Sequence, residues 1–173
     1  MRKYPHNLPP QVEYINDNVI RKTAWTSLAN TIEFIEALCN HLICHPDPMI
    51  VPIYAFENQG YQAYSGRYRY TYDMQALLLL QPEEKRLINR VANIYECAEE
   101  LPSQSKDQKI KEGWINYPEL MKFLDKVVSM GRYRDLHDGN IMIDEFDNYQ
   151  IIDIEGFIYG NLEDSNNAWI TRK

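Results

Sequence analysis

Apolar and polar positions follow two rhythms along this chain. Val12 to Ile15 and Val19 to Thr23 flank Asn16-Asp17-Asn18, which predicts a β-hairpin with polar turn residues. Ahead of it, Pro5, Pro9 and Pro10 predict an irregular arm. From Ser27 to Ile43 the period becomes helical: Leu28, Ile32, Ile35, Leu38, Cys39 and Leu42 recur at steps of three and four. Asn30 and Glu33 are spaced as a capping box. His45-Pro46-Asp47-Pro48 ends that helix. Met49 to Phe56 reads as a strand, Asn58-Gln59-Gly60 as its turn, and Tyr61 to Tyr64 as the start of the next strand. After Ser65-Gly66, Tyr68-Arg69-Tyr70-Thr71-Tyr72 alternates as a further half-buried strand.

The second half is mainly helical. Pro82 opens a helix with Glu83 and Glu84 in its first turn, where the helix dipole favours negative charge, and with Leu87, Val91, Ile94 and Tyr95 on one face. Leu101 to Gly113 reads as a break, with Ser103 to Lys109 a polar loop and Trp114 its anchor. Tyr117-Pro118 starts a third helix with Leu120, Phe123, Leu124, Val127 and Val128 as its core stripe and Gly131 at its end. Ile141 to Ile143 and Tyr149 to Ile152 predict two short strands joined by Glu145-Phe146-Asp147-Asn148. Beyond them Phe157-Ile158-Tyr159 is apolar, Asn161 to Asn167 polar, and Trp169-Ile170 a candidate docking tail. Strands and helices in this order predict an α+β fold.

Bulk properties narrow the function classes. A length of 173 residues suits one domain with a real core, and the 45% hydrophobic and 25% charged content is that of a soluble globular chain. A formal charge of -7 argues against nucleic acid as a partner, because general nucleic-acid binding needs a basic footprint. The tyrosines clustered at residues 54–72 read as strand residues rather than a base-stacking platform. Cys39, Cys44 and Cys97 form no metal spacing and no even disulfide set, so buried free thiols in a reducing compartment are expected. No apolar segment resembling a secretory signal follows Met1, and Ala76 to Leu80 is too short to span a bilayer. These features lead us to expect a cytoplasmic protein without membrane attachment.

The chemistry is concentrated in Arg134-Asp135-Leu136-His137-Asp138-Gly139-Asn140 and in Asp153. Asp135 and Asn140 sit five apart in a tight loop. The following hairpin returns the chain beside its own start, so that Asp153 comes near Asn140 and Asp135. Oxygen-rich side chains converging in this way suit Mg2+, a hard cation that prefers oxygen ligands and often shares them with substrate phosphates.

This stretch resembles the catalytic core of the protein-kinase-like superfamily. The kinase pattern H-R-D-L-x-x-x-N stands here as Tyr133-Arg134-Asp135-Leu136-His137-Asp138-Gly139-Asn140, and the D-F-G position reads Asp153-Ile154-Glu155, with Gly156 one residue late. His137 within D-L-H-x-G-N is similar to the aminoglycoside-phosphotransferase and atypical-kinase branch, and the run into Ile141-Met142 also resembles the small serine/threonine kinases of T7-type bacteriophages. The strong part of the resemblance covers residues 114–157, and a weaker part reaches back to about residue 19. It implies a single kinase-like domain over 1–173, with a reduced N-lobe at about 11–75 and a truncated helical C-lobe at 76–173. It implies Asp135 as catalytic base, Asn140 and Asp153 as Mg2+ ligands, and ATP as the nucleotide. Lys22 would pair with the α- and β-phosphates, with Arg21 and Lys3 as competing candidates. Glu36, on the apolar side of its helix, would be the partner of Lys22, with Glu33 as runner-up. Asp73-Met74-Gln75 would be the hinge that meets the adenine, and His137 is placed to orient the γ-phosphate. The acceptor implied is a Ser or Thr of a host-cell protein, in the host cytoplasm if the chain is phage-encoded.

The chain also departs from that pattern. No glycine precedes Gly60, so the Gly-rich phosphate loop is missing, and only 17 residues follow Gly156 where a protein kinase carries its Ala-Pro-Glu segment and further helices. This favours either a pared-down kinase or a catalytically inactive kinase-like module that binds and inhibits a cellular protein. Transfer of a nucleotidyl group is a third possibility. With little loop to phosphorylate, Arg134 suits a structural ion pair, and Ser129, Ser165 and Thr171 are candidate autophosphorylation sites.

Overall fold

The computed structural model of the chain describes residues 1–95 and 106–158. The expectations for Cys97, for residues 101–105 and for the tail from Tyr159 on, with Ser165, Trp169 and Thr171, lie outside the described residues. The architecture is α+β, and it separates into two compact units. Lys3–Leu78 forms a sheet unit, and Met1–Arg2 with the described residues between Leu79 and Ile158 forms a helical unit.

In the sheet unit, β1 (Val12–Asn16) and β2 (Val19–Thr26) form the expected hairpin, α1 (Ala29–Cys44) follows, and β3 (Ile53–Gln62) and β4 (Arg67–Gln75) complete an antiparallel sheet in the order β1-β2-β4-β3. The hairpin turns where Asn16 Oδ1 accepts from the Asn18 N–H at 2.9 Å, the local side-chain bond that makes Asn a turn former. α1 packs against β3, β4 and β2 through Ile32, Ile35, Leu38, Cys39 and Leu42, all buried, and buried Ile20, Tyr70, Tyr72 and Met74 supply strand residues of the core. The capping box is not formed. The N-cap is Leu28, with no side-chain cap, and the helix starts at Ala29, so Asn30 already lies inside it. Of the two described cysteines, Cys39 is buried and Cys44, at the helix end, is an exposed free thiol.

The largest difference from expectation is at Asn58-Gln59-Gly60. These residues do not turn the chain. They form a bulge inside one ten-residue strand, and the hairpin turn lies at 63–66 instead. Gly60 has φ +77°, and its N–H donates to Asn58 Oδ1 at 2.8 Å. A turn-forming residue pair and a left-handed glycine therefore insert one unpaired residue without breaking the strand.

In the helical unit, α2 (Pro82–Tyr95), α3 (Gln108–Asn116) and α4 (Pro118–Met130) pack around Leu87, Ile88, Val91, Ile110, Leu120, Met121, Leu124 and Val127. The expected polar loop at Lys106 to Lys109 is in part helix. Asp107 caps α3, accepting from the N–H groups of Lys109 and Ile110, and Trp114 is a half-buried residue of that helix. Gly113 is where α3 approaches its neighbours: a Cβ there would stand 2.8 Å from a methyl of Leu87 and 3.1 Å from the sulfur of Met121. α4 starts with Pro118 and ends at Gly131 in the left-handed conformation, as expected. A one-turn 3₁₀ helix (Asp138–Asn140) leads into β5 (Ile141–Ile143), which pairs antiparallel with β6 (Tyr149–Ile151). Among the described residues, no helix is long and apolar enough to cross a membrane.

Candidate phosphotransfer site

The loop from Tyr133 to Asn140 is held by polar contacts at both ends. Asn140 is buried, and its side-chain Nδ2 donates to the Asp135 backbone carbonyl at 2.8 Å and to Asp135 Oδ2 at 3.0 Å. Two acceptors on one side fix the amide with its nitrogen toward Asp135. Oδ1 is thereby turned the other way, as the atom that could take a cation. The Asp135 side chain remains about half exposed. The backbone N–H of Asn140 closes the 3₁₀ turn onto the His137 carbonyl at 3.1 Å.

The β5–β6 hairpin carries the chain back. Its turn is organised by Asp144, whose Oδ1 accepts from the N–H groups of Phe146 (2.8 Å) and Asn148 (2.9 Å), while Oδ2 accepts from Asn148 Nδ2 (3.0 Å). Just past β6, the Ile152 N–H donates to the Asn140 carbonyl at 2.9 Å, so Asp153 follows directly on a residue bonded to Asn140. Asp153 Oδ1 accepts from the Glu155 N–H at 3.3 Å. Its carbonyl accepts from the Tyr133 hydroxyl at 2.8 Å. The Tyr133 ring packs edge-on against Phe157 with centroids 4.9 Å apart. Burial first, then the charges of Asp153, Asp135 and Glu155, push the Tyr133 phenol well above its usual range, so it stays a neutral donor. Gly156 lies against that ring: a Cβ there would come within 2.3 Å of it. The late glycine of the motif thus has a steric reason. The Arg134 N–H donates to the Gly156 carbonyl at 3.1 Å, tying the two halves of the motif together.

His137 Nδ1 accepts the Gly139 N–H at 3.0 Å, which puts the imidazole proton of the neutral ring on Nε2. Nε2 stands 3.7 Å from Asp135 Oδ2. Asp138 is tied to α2 by Asn89, a residue that carries no signal in the sequence.

The other site residues predicted from sequence lie in the sheet unit. Lys22 is on β2 opposite Tyr72, with its ammonium 5.7 Å from the Tyr72 ring centroid. Glu36 is half-buried on α1. Asp73 and Met74 are not a linker after the strand, as the hinge expectation required. Both lie inside β4: Met74 is buried as the next inward residue after Tyr70 and Tyr72, and Asp73 forms a two-point ion pair with Arg21 at 2.7 and 2.9 Å. The strand runs three residues longer than the aromatic alternation indicated, and Asp73, Met74 and Gln75 pair with Arg21, Ile20 and Val19 of β2.

Among the described residues, no three His, Cys, Asp or Glu side chains are grouped to hold a metal. The donor set fits Mg2+ on different terms. One Asn oxygen and one Asp carboxylate are what an ion needs when substrate phosphates and water supply the remaining ligands. A separate groove of about 440 Å³, lined by Arg86, Leu87, Arg90, Lys109 and Tyr117 among others, contains no residue of the motif. No protein family and no curated protein matches the chain.

Proposed function

We propose that the protein is an ATP- and Mg2+-dependent phosphotransferase of kinase-like, two-lobe architecture, acting on a Ser or Thr hydroxyl of a protein. The observation that carries this reading is the bond from Asn140 Nδ2 to Asp135 Oδ2, in a loop whose hairpin brings Asp153 back beside Asn140. In this mechanism the acceptor oxygen attacks the γ-phosphorus, the bond from that phosphorus to the β–γ bridging oxygen breaks, and ADP leaves. The hydroxyl proton passes to the Asp135 carboxylate, a general-base role worth roughly 10²–10⁴ in rate. Asn140 Oδ1 and the Asp153 carboxylate hold Mg2+, which neutralises charge on the phosphates when bound. His137 presents its Nε2 proton beside Asp135, where it can orient a γ-phosphate oxygen. By the same resemblance, Lys22 and Glu36 position the nucleotide phosphates.

A second reading, a kinase-like module that binds a cellular protein without catalysis, is favoured by the β1–β2 turn. That turn is Asn16-Asp17-Asn18, with no glycine to let backbone N–H groups close on phosphates. Calorimetric titration with ATP, with and without Mg2+, separates the two. Phosphotransfer predicts Mg2+-dependent binding that Asp153→Ala removes, and a phosphorylated protein in mass spectra that Asp135→Ala loses. No binding at millimolar ATP, or full transfer by Asp135→Ala, would overturn it.

A further inference from the structure

We infer that Asn89 of α2 is a positioning residue for the metal-binding end of this loop, an inference that rests on the phosphotransfer reading. Asn89 and Asp138 form a closed pair. Asn89 Nδ2 donates to Asp138 Oδ1 at 3.0 Å, and the Asp138 backbone N–H donates to Asn89 Oδ1 at 2.9 Å. Two bonds of opposite direction lock both the Asn89 amide and the Asp138 carboxylate, and the second reaches the backbone itself.

The place of this pair in the loop gives it consequence. Asp138 is the first residue of the 3₁₀ turn, and Asn140 is the last. His137 and Gly139 are exposed, so the turn has little apolar packing of its own. Its other fixed points are the bonds of Asn140 to Asp135 and the closure onto His137. α2, by contrast, is anchored by buried Leu87, Ile88 and Val91, which set its rotation and hold Asn89 in place. A core helix thus supplies the rigidity that the exposed turn lacks, and it does so two residues from a metal ligand. Outer partners of this kind typically change metal affinity or activity by 10–100-fold.

The pair allows a polarity exchange. In Asn89→Asp, a carboxylate faces the Asp138 carboxylate at hydrogen-bond distance and the first bond is lost. In the double variant Asn89→Asp with Asp138→Asn, the new Asn donates to the new Asp, and the backbone N–H at 138 still has its acceptor. Both bonds return with their side chains exchanged.

The test is calorimetric titration of the full chain with ATP, with and without Mg2+, beside hydrogen exchange at the Asn140 amide. We expect Asn89→Asp to weaken Mg2+-dependent ATP binding by roughly 10–100-fold, to leave binding without Mg2+ unchanged, and to speed exchange at Asn140. The double variant restores all three to wild type. Equal loss with and without Mg2+, an unchanged affinity in Asn89→Asp, or a double variant as weak as the single would each overturn the inference. If the wild-type chain binds no Mg2+-dependent ATP, the phosphotransfer reading fails by itself. The exchange rate then decides the positioning role, and protection of Asn140 that is unmoved by Asn89→Asp refutes it.

Discussion

At the scale of single residues, the site is governed by steric and hydrogen-bond conditions that leave little choice of side chain. Gly156 supports the Tyr133 ring at a distance that admits no Cβ. Gly156→Ala must displace the ring and its bond to the Asp153 carbonyl, and overpacking of this kind costs roughly 1–3 kcal/mol. We expect a lower thermal midpoint together with weaker Mg2+-dependent nucleotide binding. A variant that melts and binds as the wild type does would remove the steric role assigned to this glycine. Asn140 is equally constrained, because its nitrogen must face Asp135. Asn140→Asp replaces that donor with a second carboxylate beside Asp135 Oδ2. We expect transfer to fall with little change in Mg2+-free ATP affinity, measured by coupled ADP release and calorimetry. The approach of Asn140 to Asp135, and of the strand before Asp153 to Asn140, was legible in the sequence because a short spacing in a tight loop and a hairpin enforce it. Asn89 and Asp144 were not, since a polar residue in mid-helix or beside a turn looks the same with or without a distant partner.

At the scale of elements, the sequence predicted wherever periodicity is strong and failed where one residue could serve two purposes. The α1, α2 and α4 stripes were readable, as were the β1–β2 and β5–β6 hairpins. The Asn58-Gln59-Gly60 bulge was read as a turn because both uses need the same left-handed glycine, and only the pairing of β3 with β4 on both sides of it distinguishes them. α3 was missed because only Ile110 and Gly113 are buried along it, too few for a helical period. Its cap is its clearest local signal. Asp107→Ala should cost about 1 kcal/mol through loss of the bonds to Lys109 and Ile110, read from denaturant unfolding. The β5–β6 turn is more demanding. Asp144 is 8% exposed and makes three bonds, and Asp144→Ala should cost roughly 1–3 kcal/mol by leaving donors unpaired. Amide exchange over Ile141–Ile151 would show the hairpin loosened ahead of the helices, and uniform loosening would contradict a local role.

At the scale of the whole chain, the arm that the prolines mark as irregular ends in a specific clamp. Arg2 donates to both oxygens of Glu84, at 2.6 and 3.1 Å, while the Tyr149 hydroxyl and the Gln81 N–H also donate to that carboxylate. Glu84 is 1% exposed. Its burial alone would raise its pKa, but the bonds from Arg2, Tyr149 and Gln81 outweigh burial and leave it lowered. A lowered carboxylate pKa means stability that is present above the unfolded-state value and lost as the pH falls through the folded-state value. We expect acid to weaken the helical unit below the ordinary glutamate range, and Glu84→Gln to flatten that part of the pH–stability profile. Arg2→Ala strands a buried charge, and breaking such a pair costs about 3–5 kcal/mol. Adding Glu84→Gln should recover much of the loss, because a neutral amide needs no cation, and chemical denaturation of the four variants measures the coupling. Additive losses would show that the pair is not coupled. The position of Glu84 in the first turn of a helix suggested only a dipole interaction, and nothing in the sequence links it to Arg2, 82 residues away.

The order of the main elements and the closeness of Asp135 to Asn140 could be read from local patterns, because periodicity, turn chemistry and short spacings act between near neighbours. The folded chain fixed what depends on partners distant in sequence. It set Asp73 within β4, where Arg21 holds it across the sheet, and the need for Gly156 against Tyr133. It joined Asn89 to Asp138, and Arg2 to Glu84 and Tyr149. Each of these is a contact between residues far apart in the chain, whose energy exists only once folding has brought them together.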